Sequence, residues 1–143
     1  MKIVIGSDHA GFELKTEVIN YLQSLNHDVL DKGTHSSDST DYPKFAHAVA
    51  NTIGSGRADF GIVICGSGNG VAITANKHRG VRAALSWNAE IAQLARAHND
   101  ANVLSLPARY ISVNEAKEIV DAFLNSPFEG GRHKRRVDMI GTN

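Results

Sequence analysis

Short apolar, β-branched runs alternate with amphipathic stretches along the whole chain, and this alternation leaves few folds open. Lys2–Gly6 (KIVIG), His27–Leu30, Phe60–Ile64, Val81–Leu85 and Asn102–Leu106 read as strands. Between them, Leu14, Val18, Leu22 and Leu25 recur at helical spacing, as do Phe45, Val49 and Ile53 up to a stop at Gly54-Ser55-Gly56. Val71–Asn76 reads as a short helix, and Ile91, Leu94, Ala95 and His98 share one face of a longer one. Ser112 and Glu115 match a capping box that opens a helix with Ala116, Ile119, Val120 and Phe123 inside.

Strands separated by helices pair in parallel, because a parallel neighbour is reached only through a crossover. The expectation is an α/β fold, a five-stranded parallel sheet with helices on both faces in a flavodoxin-like strand order. The uninterrupted apolar run Phe60–Ile64 suits a central strand covered on both sides. Residues 1–143 read as a single domain, long enough for a core without disulfides or metals, with residues 129–143 (EGGRHKRRVDMIGTN) as a basic last helix or tail. There is no internal repeat, linker or low-complexity segment.

In such sheets the site lies beyond the carboxyl ends of the strands. Three polar clusters fall there: Ser7-Asp8-His9 after the first strand, Cys65–Gly70 after the third, and Pro107-Ala108-Arg109 after the fifth. The segment IVICGSGNGVAI places the one cysteine of the chain, Cys65, where a strand meets a glycine-rich loop and a helix start. A lone cysteine is ordinarily an inert core residue. Here the exposed N–H groups and positive dipole end of a helix are surroundings that favour a thiolate. Glycines leave amides unobstructed, so the loop can cradle an anion. A base beside an oxyanion cradle is what proton abstraction next to a carbonyl requires.

GSGNG also admits a nucleotide-binding reading, in which the loop holds phosphates without chemistry. It lacks the last glycine of G-x-G-x-x-G at the right spacing, and it follows the third strand instead of the first. A cysteine phosphatase would need an arginine after the loop, where Val71 and Ala72 stand. Asp8 and His9 sit where side chains face a ligand, His9 as a donor to phosphate and Asp8 as an acceptor from a hydroxyl. Capping of the next helix is the competing role, and it is the preferred one for Ser7.

Arg132, His133, Lys134, Arg135 and Arg136 make the densest basic cluster, either a solvated tail or, with Arg132 and Arg136 four residues apart, a clamp for one phosphate. His98-Asn99-Asp100 poses a topological problem. Its helix must run away from the carboxyl edge, and about ten residues at ~1.5 Å each carry His98 about 15 Å from Cys65. A second subunit could return a His98 to this site across a two-fold axis. His27, His35, His47 and His78 have no metal-ligand spacing.

Fifteen basic residues balance fifteen acidic ones, which gives no electrostatic case for nucleic acid or an anionic membrane as partner. One cysteine forms no internal disulfide, no segment is long enough to span a bilayer, and MKIVIGSDHAGF is too short an apolar run for a signal peptide. These features predict a cytoplasmic protein.

The stretches GSDHAGFELK, DKGTHSSDSTDYP, VICGSGNG, ANKHRGVRAA, ARAHNDANVLSL and FEGGRHKRRV follow one another over nearly the whole chain. Together they resemble the ribose-5-phosphate isomerase B family, which also includes galactose- and allose-6-phosphate isomerases. The resemblance implies a Rossmann-like three-layer α/β/α sandwich, a homodimer or tetramer with sites shared between subunits, and neither metal nor cofactor. It implies Cys65 as the base moving a proton between C1 and C2, and Ser67 as a shuttle for hydroxyl protons. The amides of Gly66, Ser67, Gly68, Asn69 and Gly70 would hold the enediolate. His98, with Asp8 nearby, would open the furanose ring, and Asn99 would bind the sugar. His9, Arg109, Arg132 and Arg136 would hold the phosphate, with Tyr42 lining the pocket. Some members carry a glutamate base just after the loop, where this chain has Val71. Many cysteine-type members have threonine where Ser67 stands, so the hydroxyl is kept and the rotamer-restricting methyl is lost. A six-carbon aldose phosphate is the alternative substrate.

Overall fold

In a computed structural model that describes residues 1–142, the chain alternates as expected. The strands are β1 (Lys2–Ser7), β2 (Asp28–Asp31), β3 (Phe60–Cys65), β4 (Ala83–Leu85) and β5 (Val103–Pro107). The helices are α1 (Phe12–Ser24), α2 (Tyr42–Gly54), α3 (Asn69–Ala75), α4 (Ala89–Asn99), α5 (Val113–Asn125) and α6 (Arg132–Asp138). All strand pairings are parallel, in the order β2-β1-β3-β5-β4.

The parallel α/β fold is the one expected, with a correction to strand order. A flavodoxin-like sheet runs 2-1-3-4-5, whereas here β5 pairs with β3 and β4 takes the edge. Burial accounts for the exchange. Every residue of β5 is buried, as a central strand requires, while the three residues of β4 are only half-buried.

Side chains alternate between two cores. Ile3, Ile5, Ile62, Ile64, Leu104 and Leu106 face α1, α4 and α5, meeting Leu14, Val18, Leu22, Ala92, Ile119 and Phe123. Val4, Val63, Cys65 and Val103 face α2 and α3, meeting Ala46, Val49, Ala50, Val71 and Ala75. Each fully buried Ile or Leu in these layers contributes about 1.5–3 kcal/mol. The capping box at Ser112 is present: its hydroxyl accepts from the Glu115 amide at 3.1 Å, and the Glu115 carboxylate accepts from the Ser112 amide at 2.9 Å.

Register fixes the site. Ser7 pairs with Ile64, Ile64 with Leu106 and Cys65 with Pro107, so the three central strands end at one level. A half-buried ion pair ties α1 to the end of β2: the buried Lys15 Nζ lies 2.7 and 2.8 Å from the two carboxylate oxygens of the partly exposed Asp31. Asp31 also accepts from the Gly33 amide at 2.9 Å, and Gly33 and Thr34 bracket Ser7 with two 2.7 Å backbone bonds. At the opposite end, α4 closes on Asp100 in a left-handed conformation, where its carboxylate meets Arg96 at 2.8 Å and Arg82 at 3.4 Å.

Candidate active site

The loops after β1, β3 and β5 enclose a cleft of about 420 Å³. Asp8, His9, Tyr42, Cys65, Gly66, Ser67, Gly70 and Arg109 line it, so eight of the expected site residues meet within one chain. Gly68 lies buried beneath the same loop, and Asn69 begins α3 at its rim.

Strand alternation decides where Cys65 points. It follows Val63 onto the α2 and α3 face, so one side of its side chain packs in the aliphatic layer. The other side reaches the cleft, because β3 ends there and the chain turns away through Gly66. The residue is 5% exposed, a nearly dry position with one open side.

The loop is built for close approach. Gly68 adopts φ +76°, and a Cβ there would come within 2.5 Å of Leu85 Cδ1. Its carbonyl accepts from the buried Ser105 hydroxyl at 2.7 Å, which pins the turn. A Cβ on Gly70 would strike the Tyr42 ring. The Ser67 hydroxyl accepts from the Asn69 amide at 3.2 Å. Among the described residues, the amides of Ser67, Gly68 and Gly70 donate to no protein acceptor, and Ser67 and Gly70 border the cleft, where their amides are free to meet an anion.

His9 is oriented by a residue that sequence reasoning missed. Its Nδ1 accepts from the Thr40 amide at 3.1 Å, and its own amide donates to the Thr40 hydroxyl at 3.1 Å. An accepting Nδ1 leaves the proton of the neutral ring on Nε2, as a donor. Thr40 sits in the polar DKGTHSSDSTDYP loop, where nothing marks it apart from its neighbours. Tyr110 also lines the cleft; the only signal was its place beside Arg109.

Asp8 does two things at once. One oxygen accepts from the Gly11 amide at 3.1 Å and caps the turn His9–Gly11, while the carboxylate also borders the cleft. Capping therefore falls to Asp8 and not to Ser7, whose buried hydroxyl finds no partner among the described residues. Ser7 ends β1 in a fully buried position, where no helix amide is bonded to it.

A second group lies elsewhere. His98 and Asn99 end α4, and Arg132 and Arg136 lie on α6, which packs against α4. The His98 and His133 rings stack, with centroids 4.1 Å apart and planes 10° from parallel. Partial burial, reinforced by His98 and by Arg132, holds His133 below the ordinary imidazole pKa. None of these four expected site residues borders the Cys65 cleft of the same chain.

The family model described as Ribose/Galactose Isomerase matches residues 3–140. The chain belongs to this isomerase family. Ribose-5-phosphate isomerase B of Escherichia coli (strain K12) is 48% identical over 139 residues, spanning 97% of this chain and 93% of that protein. A crystal structure of a ribose 5-phosphate isomerase from Thermotoga maritima superposes with a TM-score of 0.96 at 53% identity, over 97% of this chain and 96% of that one. Ribose-5-phosphate isomerase B from Mycoplasma genitalium, solved with bound ribulose-5-phosphate, gives 0.92 at 45% identity, over 97% and 93%. In this member of the ribose/galactose isomerase family, Val71 is wholly buried in the aliphatic layer, so no carboxylate follows the glycine loop.

Proposed function

We propose that this sugar-phosphate isomerase interconverts ribose 5-phosphate and ribulose 5-phosphate through a cis-enediolate, with Cys65 as the base. One observation carries the reading. The single thiol and the unengaged amides of the glycine loop open onto the same cleft as two phosphate-competent side chains, His9 and Arg109. Those side chains would fix the phosphate end and set the opposite end of an open-chain sugar beside the thiol.

The Cys65 thiolate takes the proton from C2 of the aldose, and the electron pair moves to the C1 oxygen. Amides of the Gly66–Gly70 loop stabilise the resulting oxyanion, each such donor contributing about 3 kcal/mol to the transition state. Ser67 relays a proton between the O1 and O2 hydroxyls. The thiol then returns its proton to C1 and the ketose forms. Tyr42 closes the side of the cleft over Gly70.

Ring opening needs an acid–base group near the anomeric hydroxyl, and the cleft of one chain offers no histidine besides His9 among the described residues. We assign that task to His98 of a second copy of the chain, with its Asn99 on the sugar and its Arg132 and Arg136 on the phosphate. The functional unit is then a homodimer with shared sites, and its working compartment is the cytoplasm.

A coupled assay with ribose 5-phosphate, allose 6-phosphate and galactose 6-phosphate tests the substrate. The highest kcat/KM belongs to ribose 5-phosphate; a six-carbon sugar in first place would replace the proposed substrate. Cys65→Ala should keep ribose 5-phosphate binding and lower kcat by about 10²–10⁴-fold, the usual contribution of a positioned base. Wild-type turnover in that variant would remove Cys65 from the chemistry.

A further inference from the structure

Residues from two segments that pack together place three potential metal donors around one point. Glu129 Oε1 lies 3.8 Å from His98 Nε2 and 3.5 Å from His133 Nε2, and all three ligand atoms fall within 4.8 Å of one another. The arrangement is held by the backbone. The Glu129 amide donates to the Ala97 carbonyl at 3.0 Å, beside His98, and the His133 amide donates to the Gly130 carbonyl at 3.0 Å as α6 begins. Glu129 and His133 are four residues apart, so a single turn of chain presents both donors to the end of α4.

We propose that His98, Glu129 and His133 form a binding site for a divalent transition metal of the zinc class, and that occupancy takes His98 out of service. Two imidazoles and a carboxylate with an open fourth position are a donor set that Zn²⁺ accepts. Bonds of about 2.0–2.2 Å put tetrahedral donors about 3.3–3.6 Å apart. The His133–Glu129 spacing already meets this, and the His98–Glu129 spacing exceeds it by less than half an ångström. The stacked rings must tilt for both Nε2 atoms to converge on an ion. In the single chain, the exposure of the His98 side chain (38%) and of Glu129 (57%) leaves room for that. Arg132 and Arg136 on the same helix oppose a cation, so the site is weaker than a closed structural zinc site and suits reversible control. Metal on the His98 imidazole ties up the lone pair that would accept a proton during ring opening; this inhibitory half rests on the role given to His98 above.

The test is a Zn²⁺ titration of the full metal-free chain against a chromophoric chelator, with Cys65→Ala run alongside to remove the thiol as a rival ligand. One Zn²⁺ per chain is expected in both. Glu129→Gln and His133→Asn should weaken binding at least as much as loss of a group behind a metal ligand does, about 10–100-fold. Glu129→Gln is exposed and isosteric, and an unchanged thermal midpoint shows that it is folded. Zinc binding that disappears in Cys65→Ala, or that Glu129→Gln leaves unchanged, overturns the site. Added Zn²⁺ should inhibit the wild type and a chelator should restore it; binding without inhibition overturns the inhibitory half. Undiminished isomerase activity in metal-free His98→Asn, with zinc binding weakened, would fault the role given to His98 and leave the metal site standing.

Discussion

Gly68→Ala separates the packing of the glycine loop from its chemistry. Gly68 has φ +76°, a conformation that costs a residue with a Cβ about 1–2 kcal/mol. The added Cβ would also lie 2.5 Å from Leu85 Cδ1 and 3.2 Å from both the Leu106 carbonyl carbon and Ser105 Oγ. The Leu85 tip can move, but the Leu106 backbone is held in the central sheet, so overpacking adds about 1–3 kcal/mol. The sum is about 2–5 kcal/mol. Gly56 is the internal control: φ is +74° and nothing lies within 4 Å of a Cβ added there, which leaves only the conformational cost of about 1–2 kcal/mol. Urea unfolding of both variants measures the difference, and kcat measured without denaturant, well below each thermal midpoint, reads the loop's catalytic part. Equal destabilisation by the two substitutions would refute the close-approach argument. A destabilised Gly68→Ala with wild-type kcat would refute the cradle.

Two further outcomes follow from the layout. Mixing inactive Cys65→Ala and His98→Ala chains should restore activity, because a hybrid pair contains one site with both groups intact; hybrids shown to form yet inactive would sink the shared site. The second concerns pH. His78 Nε2 lies 2.6 Å from His47 Nδ1, and burial first, then the His47 charge, lower the His78 pKa below 6.5. Between that lowered value and 6.5 the unfolded chain binds more protons than the native one, so stability rises with pH up to about 6.5 and this contribution then levels off. Urea unfolding across about pH 5–8 should show the slope, and His47→Gln should reduce it without abolishing it, because burial, the larger cause, remains.

The sequence pattern carried most of the fold, for a physical reason. Period-3.6 apolar spacing encodes which face of each helix is buried, and the uninterrupted apolar run Phe60–Ile64 does supply both cores, Ile62 and Ile64 to one and Val63 to the other. The positions of β4 and β5 were not legible in the same way. Both are short and apolar, and what separates them is how completely neighbours cover them, which is a property of the assembled sheet. The cleft residues were legible because strand ends and glycine turns mark an edge. Thr40 was not, since its role is to orient His9 across 31 residues of chain. Nor was the His98–Glu129–His133 cluster, which depends on α6 folding back onto α4.

The split between the two groups of expected site residues follows from the direction of α4. Its eleven residues rise about 16 Å away from the carboxyl edge of the sheet, so His98 and Asn99 end on the opposite side from Cys65. No rotamer change can span that distance, and the elements in between are anchored: Asp100 by Arg96 and Arg82, and Glu129 by Ala97. With the roles proposed above, a single chain would carry two incomplete surfaces, one with a thiol and amides, the other with imidazoles and guanidiniums. In the proposed homodimer, rotation about a two-fold axis would bring the unlike surfaces together twice and complete two sites with one interface. On this reasoning, substitutions that weaken pairing should lower activity in proportion to the fraction of chains left single, even when every site residue is intact.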